Sequence, residues 1–378
     1  MNLRNKSKWY LAAAAAFCLI CVYGITRYYQ NILITEAEEN IRSHGYKVRN
    51  YNMSEADGQR LKQIFPKADL AKLSDGTIGI SRHDLQESCN VTDIVSDLKI
   101  LSSLISDFNC GGAKAGDQEA VVLGQMHQLT RLSFDGTELT DEGAQSLSQL
   151  KKLGWLSIHA PQITDKGMSW ISQCPNLWRI YLTNAKIGEG TLISLSNLPK
   201  LDTVYLYSST IRSSDLRYLK KLKELRWLVL EDTNIDDKAA PYFKPLNSLE
   251  TLELGQTQVG DAVCEAIRNI ENLRKLRLNE TAITDKGVRT ILEGCQNLED
   301  LSIRECNITA NAFSDLKTWP SKLETLLVAE TMLTGPEVLQ IYRDHPTLKS
   351  VGYSAKDMEP GIREQIQAIR EERHQKDK

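Results

Sequence analysis

Residues 273–297 run LRKLRLNETAITDKGVRTILEGCQN. Leu273, Leu276 and Leu278 take positions one, four and six of this segment. The same apolar spacing opens at Leu129, Leu153, Leu177, Leu201, Leu225, Leu249, Leu298, Leu323 and Leu348. The interval is 24 residues up to Leu273 and 25 after it. Counting back 24 from Leu129 reaches Ile105, with Phe108 and Cys110 in the other two slots. Ten full turns therefore span 105–347, and a partial one, Leu348, Val351 and Tyr353, follows.

The first residues of each turn read as a strand with positions one, four and six inward and positions three, five and seven toward solvent. Position eleven is apolar, as in Ile163, Ile283 and Ile308. A Thr-Asp pair such as Thr140-Asp141, Thr164-Asp165 or Thr284-Asp285 comes next, suited to the free N–H groups of a helix start. Apolar residues then recur three apart, in Leu192, Leu195 and Leu198 or Leu216, Leu219 and Leu222, giving one helical face against the strand layer. A single turn cannot close a core, so neighbours must stack, with strands on the inner side of the arc. The fold class is α/β.

This signature resembles the leucine-rich repeat family in its helical, ribonuclease-inhibitor-like form, and more closely its exported bacterial members with L-x-x-L-x-L-x-x-T-x-I-T-D repeats. The resemblance implies a solenoid with a curved parallel sheet on the concave side and helices on the convex side. Position nine departs from the family's asparagine, holding Thr137, Pro161, Ala185, Ser209, Thr233, Thr257, Thr281, Cys306 and Thr331. A hydroxyl still bonds a loop backbone group, whereas Pro161 and Ala185 cannot, so looser turns are expected there.

Outside the repeats, residues 9–25 carry no charge and follow Arg4, Lys6 and Lys8. This pattern predicts a cytoplasmic tail over 1–8, an N-terminal membrane helix acting as signal anchor over 9–25, and an exported remainder, secreted if cleavage follows Gly24. A stalk or N-terminal cap is expected over 26–80, with helical stretches at 29–42 and 55–65. The repeat domain covers 81–354, its first turn degenerate. A charged C-terminal helix or tail takes 355–378, with Ile362, Ile366 and Ile369 on one face.

The 46 Lys and Arg nearly balance 49 Asp and Glu, so the net charge of -3 argues against a nucleic-acid partner. Gly111 and Gly116 have phosphate-loop spacing, yet Asp117 and Gln118 stand where that loop needs Lys and Ser or Thr. The six histidines, His44, His83, His127, His159, His345 and His374, form no metal-ligand spacing. No enzyme activity, metal or cofactor is expected. Cys18 and Cys21 lie inside the apolar run. Cys174, Cys264 and Cys295 take inward helical slots and Cys306 a place in the position-nine row, which predicts buried thiols; Cys89 with Cys110 is the one disulfide candidate.

The sharpest functional signal is on the outward strand positions of four adjacent turns. There lie Trp155, Ser157 and His159, then Trp178, Arg179, Tyr181 and Thr183, then Tyr205 and Tyr207, then Trp227 and Val229. Trp, Tyr and Arg dominate the energetics of protein interfaces. We take Trp155, His159, Trp178, Arg179, Tyr181, Tyr205, Tyr207 and Trp227 as candidate ligand-binding residues, for a protein or peptide partner or alternatively a cell-wall or surface polysaccharide. Asp232, Glu280, Glu305 and Glu330 at position eight, with Glu231, suggest an acidic rim facing a basic partner.

Overall fold

The computed structural model describes residues 46–51, 77–82, 98–99, 102, 105–109, 116–134, 138–159, 161–354 and 361–376. Thirteen strands form one sheet in chain order: β1 (Tyr46–Tyr51), β2 (Thr77–Arg82), β3 (Ile105–Asn109), β4 (Arg131–Phe134), β5 (Trp155–His159), β6 (Arg179–Thr183), β7 (Thr203–Tyr205), β8 (Trp227–Val229), β9 (Thr251–Glu253), β10 (Lys275–Arg277), β11 (Asp300–Ser302), β12 (Thr325–Leu327) and β13 (Ser350–Gly352). β1 and β2 are antiparallel, and every later pair is parallel. Each repeat adds one strand, and its crossover returns through a helix on the other layer.

One continuous core of inward leucines, isoleucines and valines runs from Leu98 to Ile366. Leu228, Leu252, Leu276 and Leu301 are fully buried, and their register pairs them strand to strand. A Leu→Ala change at such a site costs about 2–5 kcal/mol. The convex layer is more varied than a uniform row of α-helices. Asp285–Gly294 and Gly335–Asp344 are ten-residue α-helices, whereas Ser213–Lys221 is a 3-10 helix throughout. A 3-10 helix has three residues per turn and aligns residues i and i+3, so Leu216, Leu219 and Leu222 all point into the core.

The Thr-Asp pairs join neighbouring repeats. Thr164 caps its own helix by accepting from Lys166 N–H, while its N–H and hydroxyl donate to Asp141 of the preceding repeat at 2.8 and 2.6 Å. Asp117 with Thr140, Asp261 with Thr284 and Asp285 with Thr309 repeat this bond pair. The glycine two residues after each such aspartate position makes room for the aspartate of the preceding repeat. A Cβ at Gly167 would stand 2.3 Å from Asp141 Oδ1, and one at Gly287 2.3 Å from Asp261 Oδ1.

After each strand the chain turns at position eight, where Asn184, Ser208, Asp232, Gln256, Glu280, Glu305 and Glu330 all adopt φ between 53° and 59°. The hydroxyls of Thr233, Thr257, Thr281 and Thr331 close these turns by donating to the carbonyls of Leu230, Leu254, Leu278 and Val328. Where Pro161 and Ala185 replace the hydroxyl, β5 and β6 run on to position seven instead of stopping at five.

At the far end the helix Ile362–Lys376 buries Ile366, with Ile362 and Ile369 packed beside it. Arg373 donates to the carbonyls of Tyr342 and Leu348 at 2.6 and 2.5 Å, closing the last open turn.

The single-pass membrane placement expected from residues 9–25 is corrected. A span needs about 20 predominantly apolar residues. Among the described residues no helix is long and apolar enough to cross a membrane; Ile362–Lys376, 15 residues long, is densely charged. Residues 9–25, the expected helices at 29–42 and 55–65, and the Cys89–Cys110 pair lie outside the described residues. Cys174, Cys264, Cys295 and Cys306 are free and buried.

Candidate functional site

Strand positions three, five and seven carry side chains away from the helices, on the concave side of the stack. The register sets Trp155, Arg179, Thr203 and Trp227 in one column and Ser157, Tyr181, Tyr205 and Val229 in the next. Ring centroids are 5.7 Å apart for Trp155 and Tyr181, 5.2 Å for Tyr181 and Tyr205, and 6.2 Å for Tyr205 and Tyr207. Four partly exposed rings therefore make one row. Tilted and stacked pairs of this kind contribute about 0.5–1.5 kcal/mol each beyond area burial, so the row also braces the sheet.

Guanidinium groups flank the row. Arg131 stands 5.2 Å from the Trp155 ring, and Arg179 stands 4.6 Å from the ring of Trp178 at the sheet edge. Gly154 allows that indole to lie close: a Cβ there would meet Trp178 Nε1 at 2.9 Å. His159 joins the cluster through Thr183, with Nδ1 3.0 Å from the threonine hydroxyl.

Two candidates stand apart from the row. Trp227 is in register with Trp155 and Arg179, but the intervening Thr203 is buried and donates to Asp202. Trp178 and Trp227 are each 38% exposed, which makes them borders of the surface rather than parts of its floor. Val229 points outward by register yet is fully buried, so it is floor.

Beyond β8 the face becomes ionic, a change that sequence reasoning missed. Glu253, almost buried, sits 3.5 Å from Lys275 Nζ and 3.3 Å from Arg277 Nη1. Burial pushes the Asp300 carboxyl above its usual range against the pull of Lys275 and Arg277. Burial also raises Glu231, and the neighbouring Glu253 charge adds to it. The available signal was the alternating sign of Glu253, Lys275, Arg277 and Asp300 at positions five and three. Along position eight, Ser208 donates to Asp232 and Gln256 to Glu280, while Asp232, Glu280, Glu305 and Glu330 form no ion pairs among the described residues.

His127, His159 and His345 lie in separate repeats, and His345 stacks on Trp319. Gly116 precedes the helix Asp117–Leu123, whose Asp117 is engaged by Thr140. Among the described residues no three His, Cys, Asp or Glu side chains come together as a metal set.

Residues 214–369 match a family model described as the LRR repeats of FBD-associated F-box protein At5g56370, and residues 125–148 match a leucine-rich repeat model. These segments carry leucine-rich repeats. A search of curated protein sequences returned no match. Among solved structures it is similar to the yeast complex of Rad7 and Elc1, at 14% identity over 96% of each chain with a TM-score of 0.52. It is also similar to an internalin from Listeria monocytogenes, at 16% identity over 79% of this chain and 89% of that one, with a TM-score of 0.50. At these identities the likeness of the leucine-rich repeat chain to both is one of fold.

Proposed function

We propose that the concave face of this leucine-rich repeat protein binds another protein or a peptide through Trp155, Trp178, Arg179, Tyr181, Tyr205, Tyr207 and Trp227, with His159 at the margin. The reading rests on one observation, the unbroken row of four rings bordered by two tryptophans that are each 38% exposed. Large aromatic side chains left partly in water cost solvation free energy that a partner's apolar surface recovers, and they lose little conformational entropy when covered. A surface kept only for solubility would be charged at these positions.

The polar groups around the rings favour a protein over a polysaccharide. Few carboxylate or amide side chains are interleaved with the rings to read sugar hydroxyls: only Arg179, Asn184 and His159 are near, and His159 is engaged with Thr183. Binding, rather than catalysis, is the proposed role. Peptides selected from a display library against the whole chain, alongside a glycan array, test it. Selected peptides should lose about 2 kcal/mol or more of affinity on Tyr181→Ala or Tyr205→Ala. Glycan binding lost in the same variants, with no peptide selected, would replace the protein reading with the polysaccharide one.

A further inference from the structure

The aromatic row does not fade into a neutral surface; it stops against carboxylates. Tyr207 at position seven is followed in the next repeat by Glu231, whose carbonyl accepts the Ser208 N–H at 3.0 Å. Tyr205 at position five is followed by Val229 and then by Glu253. Val229 and Gly255, between these residues in register, are both buried. Gly255 is the one residue without a side chain at position seven between Tyr207 and Arg304. A Cβ there would meet Glu231 Oε1 at 3.0 Å, so its absence leaves the space into which that carboxylate leans.

The two carboxylates differ in their partners. Glu253 is matched by Lys275 and Arg277. Glu231 is partly buried and has neither an ion pair nor a side-chain hydrogen bond among the described residues; burial and the Glu253 charge raise its pKa against the weaker pull of Arg277 and Lys275, which are committed to Glu253. A partly desolvated anion beside a like charge is unfavourable until a cation joins it. The adjoining Asp232 adds negative charge on the same side, while the opposite end of the row carries Arg179, with Arg131 beyond it paired with Asp107 at 3.9 Å. The face is thus polarised along the direction in which an extended chain would cross the strands.

We infer that the Glu231 carboxylate, beside Tyr205 and Tyr207 at the end of the aromatic row, seats a lysine or arginine side chain of an extended partner peptide whose apolar residues lie on that row. The inference rests on the concave-face reading above and adds the charge and the orientation of the ligand. The tyrosine rings favour the cation's stem and charge together, and Glu231 supplies the counter-charge.

The probes are synthetic peptides taken from a display selection against the whole chain, each paired with a copy in which its basic residue is replaced by Glu. Selected sequences should carry Lys or Arg next to aromatic or aliphatic residues. Glu231→Gln should weaken them about ten-fold or more, and Glu231→Lys should reverse the preference toward the Glu-bearing copies. Unchanged affinity in both Glu231 variants, or selected peptides without basic residues, overturns the cation seat. If Tyr205→Ala abolishes binding while the Glu231 variants do not weaken it, the concave face stands and the seat falls; if none of the three matters, both fall. Pairing of the chain with a second copy of itself, lost in Glu231→Gln and not competed by peptide, would also overturn the peptide assignment.

Discussion

Gly167 and Gly287, like Gly143, hold close points between repeats, because the aspartate of the preceding turn occupies the place of their missing Cβ. Gly167→Ala and Gly287→Ala should each destabilise the chain by about 1–3 kcal/mol in denaturant titrations, since the clash is with a hydrogen-bonded carboxylate that cannot retreat freely. Asp165 extends the same logic to pH. Burial alone would raise its pKa, but hydrogen bonds from Thr191, Gly188 and Gly190 outweigh that and hold it below the ordinary carboxylate value. The unfolded chain therefore takes up this proton first as acid is added. The contribution of Asp165 is present in full above the unfolded pKa of about 3.9 and is lost as pH falls through the lower folded value. The stability difference between the protein and Asp165→Asn should accordingly narrow below about pH 4 in pH-dependent urea melts. The Thr-Asp pair was legible in the sequence as a helix start. Its crossing to the next repeat was not, because one repeat's letters do not say which neighbour's N–H its carboxylate will meet.

At the scale of elements, the last helix is the one on which the repeat array depends for closure. Ile366 is buried at the end of the core, and Arg373 reaches back to the carbonyls of Tyr342 and Leu348 while its guanidinium stands 4.2 Å from the Tyr342 ring. Solenoids need such a cap because a terminal repeat has no neighbour on one side. Ile366→Asp should lower stability by about 2–5 kcal/mol and increase dye binding to exposed apolar surface, whereas Glu371→Gln on the exposed side should leave both unchanged. The spacing of Ile362, Ile366 and Ile369 made their shared face readable in advance. That Arg373 would supply the missing donors was not readable, since its partners are carbonyls from 25 and 31 residues earlier. The 3-10 segment Ser213–Lys221 teaches a similar lesson: leucines three apart fit an α-helical stripe loosely and a 3-10 face closely, and the packing distance to the sheet chooses between them.

For the molecule as a whole, the 24- and 25-residue period was sufficient to give the strand order, the register and the inward residues, because stacking leaves only one way to bury them. The same regularity made the buried thiols readable from their phase. Burial holds the Cys174 thiol at about 11 and the Cys295 thiol at about 12, so both remain protonated at neutral pH. Cys174, Cys264, Cys295 and Cys306 should resist alkylation in the native protein and react on unfolding, as mass mapping would show. The ionic half of the concave face was less legible: each charge could be placed by position, but whether Glu253 was solvated or matched depended on its packing against the next strand. The claim that the aromatic half is the binding surface is tested most directly by oxidative footprinting of the whole chain with and without a selected peptide. Tyr181, Tyr205, Tyr207 and Trp227 should become protected while Tyr218 and Tyr242, packed on the helical side, keep their reactivity. Protection of Tyr218 or Tyr242 with Tyr205 unchanged would contradict it.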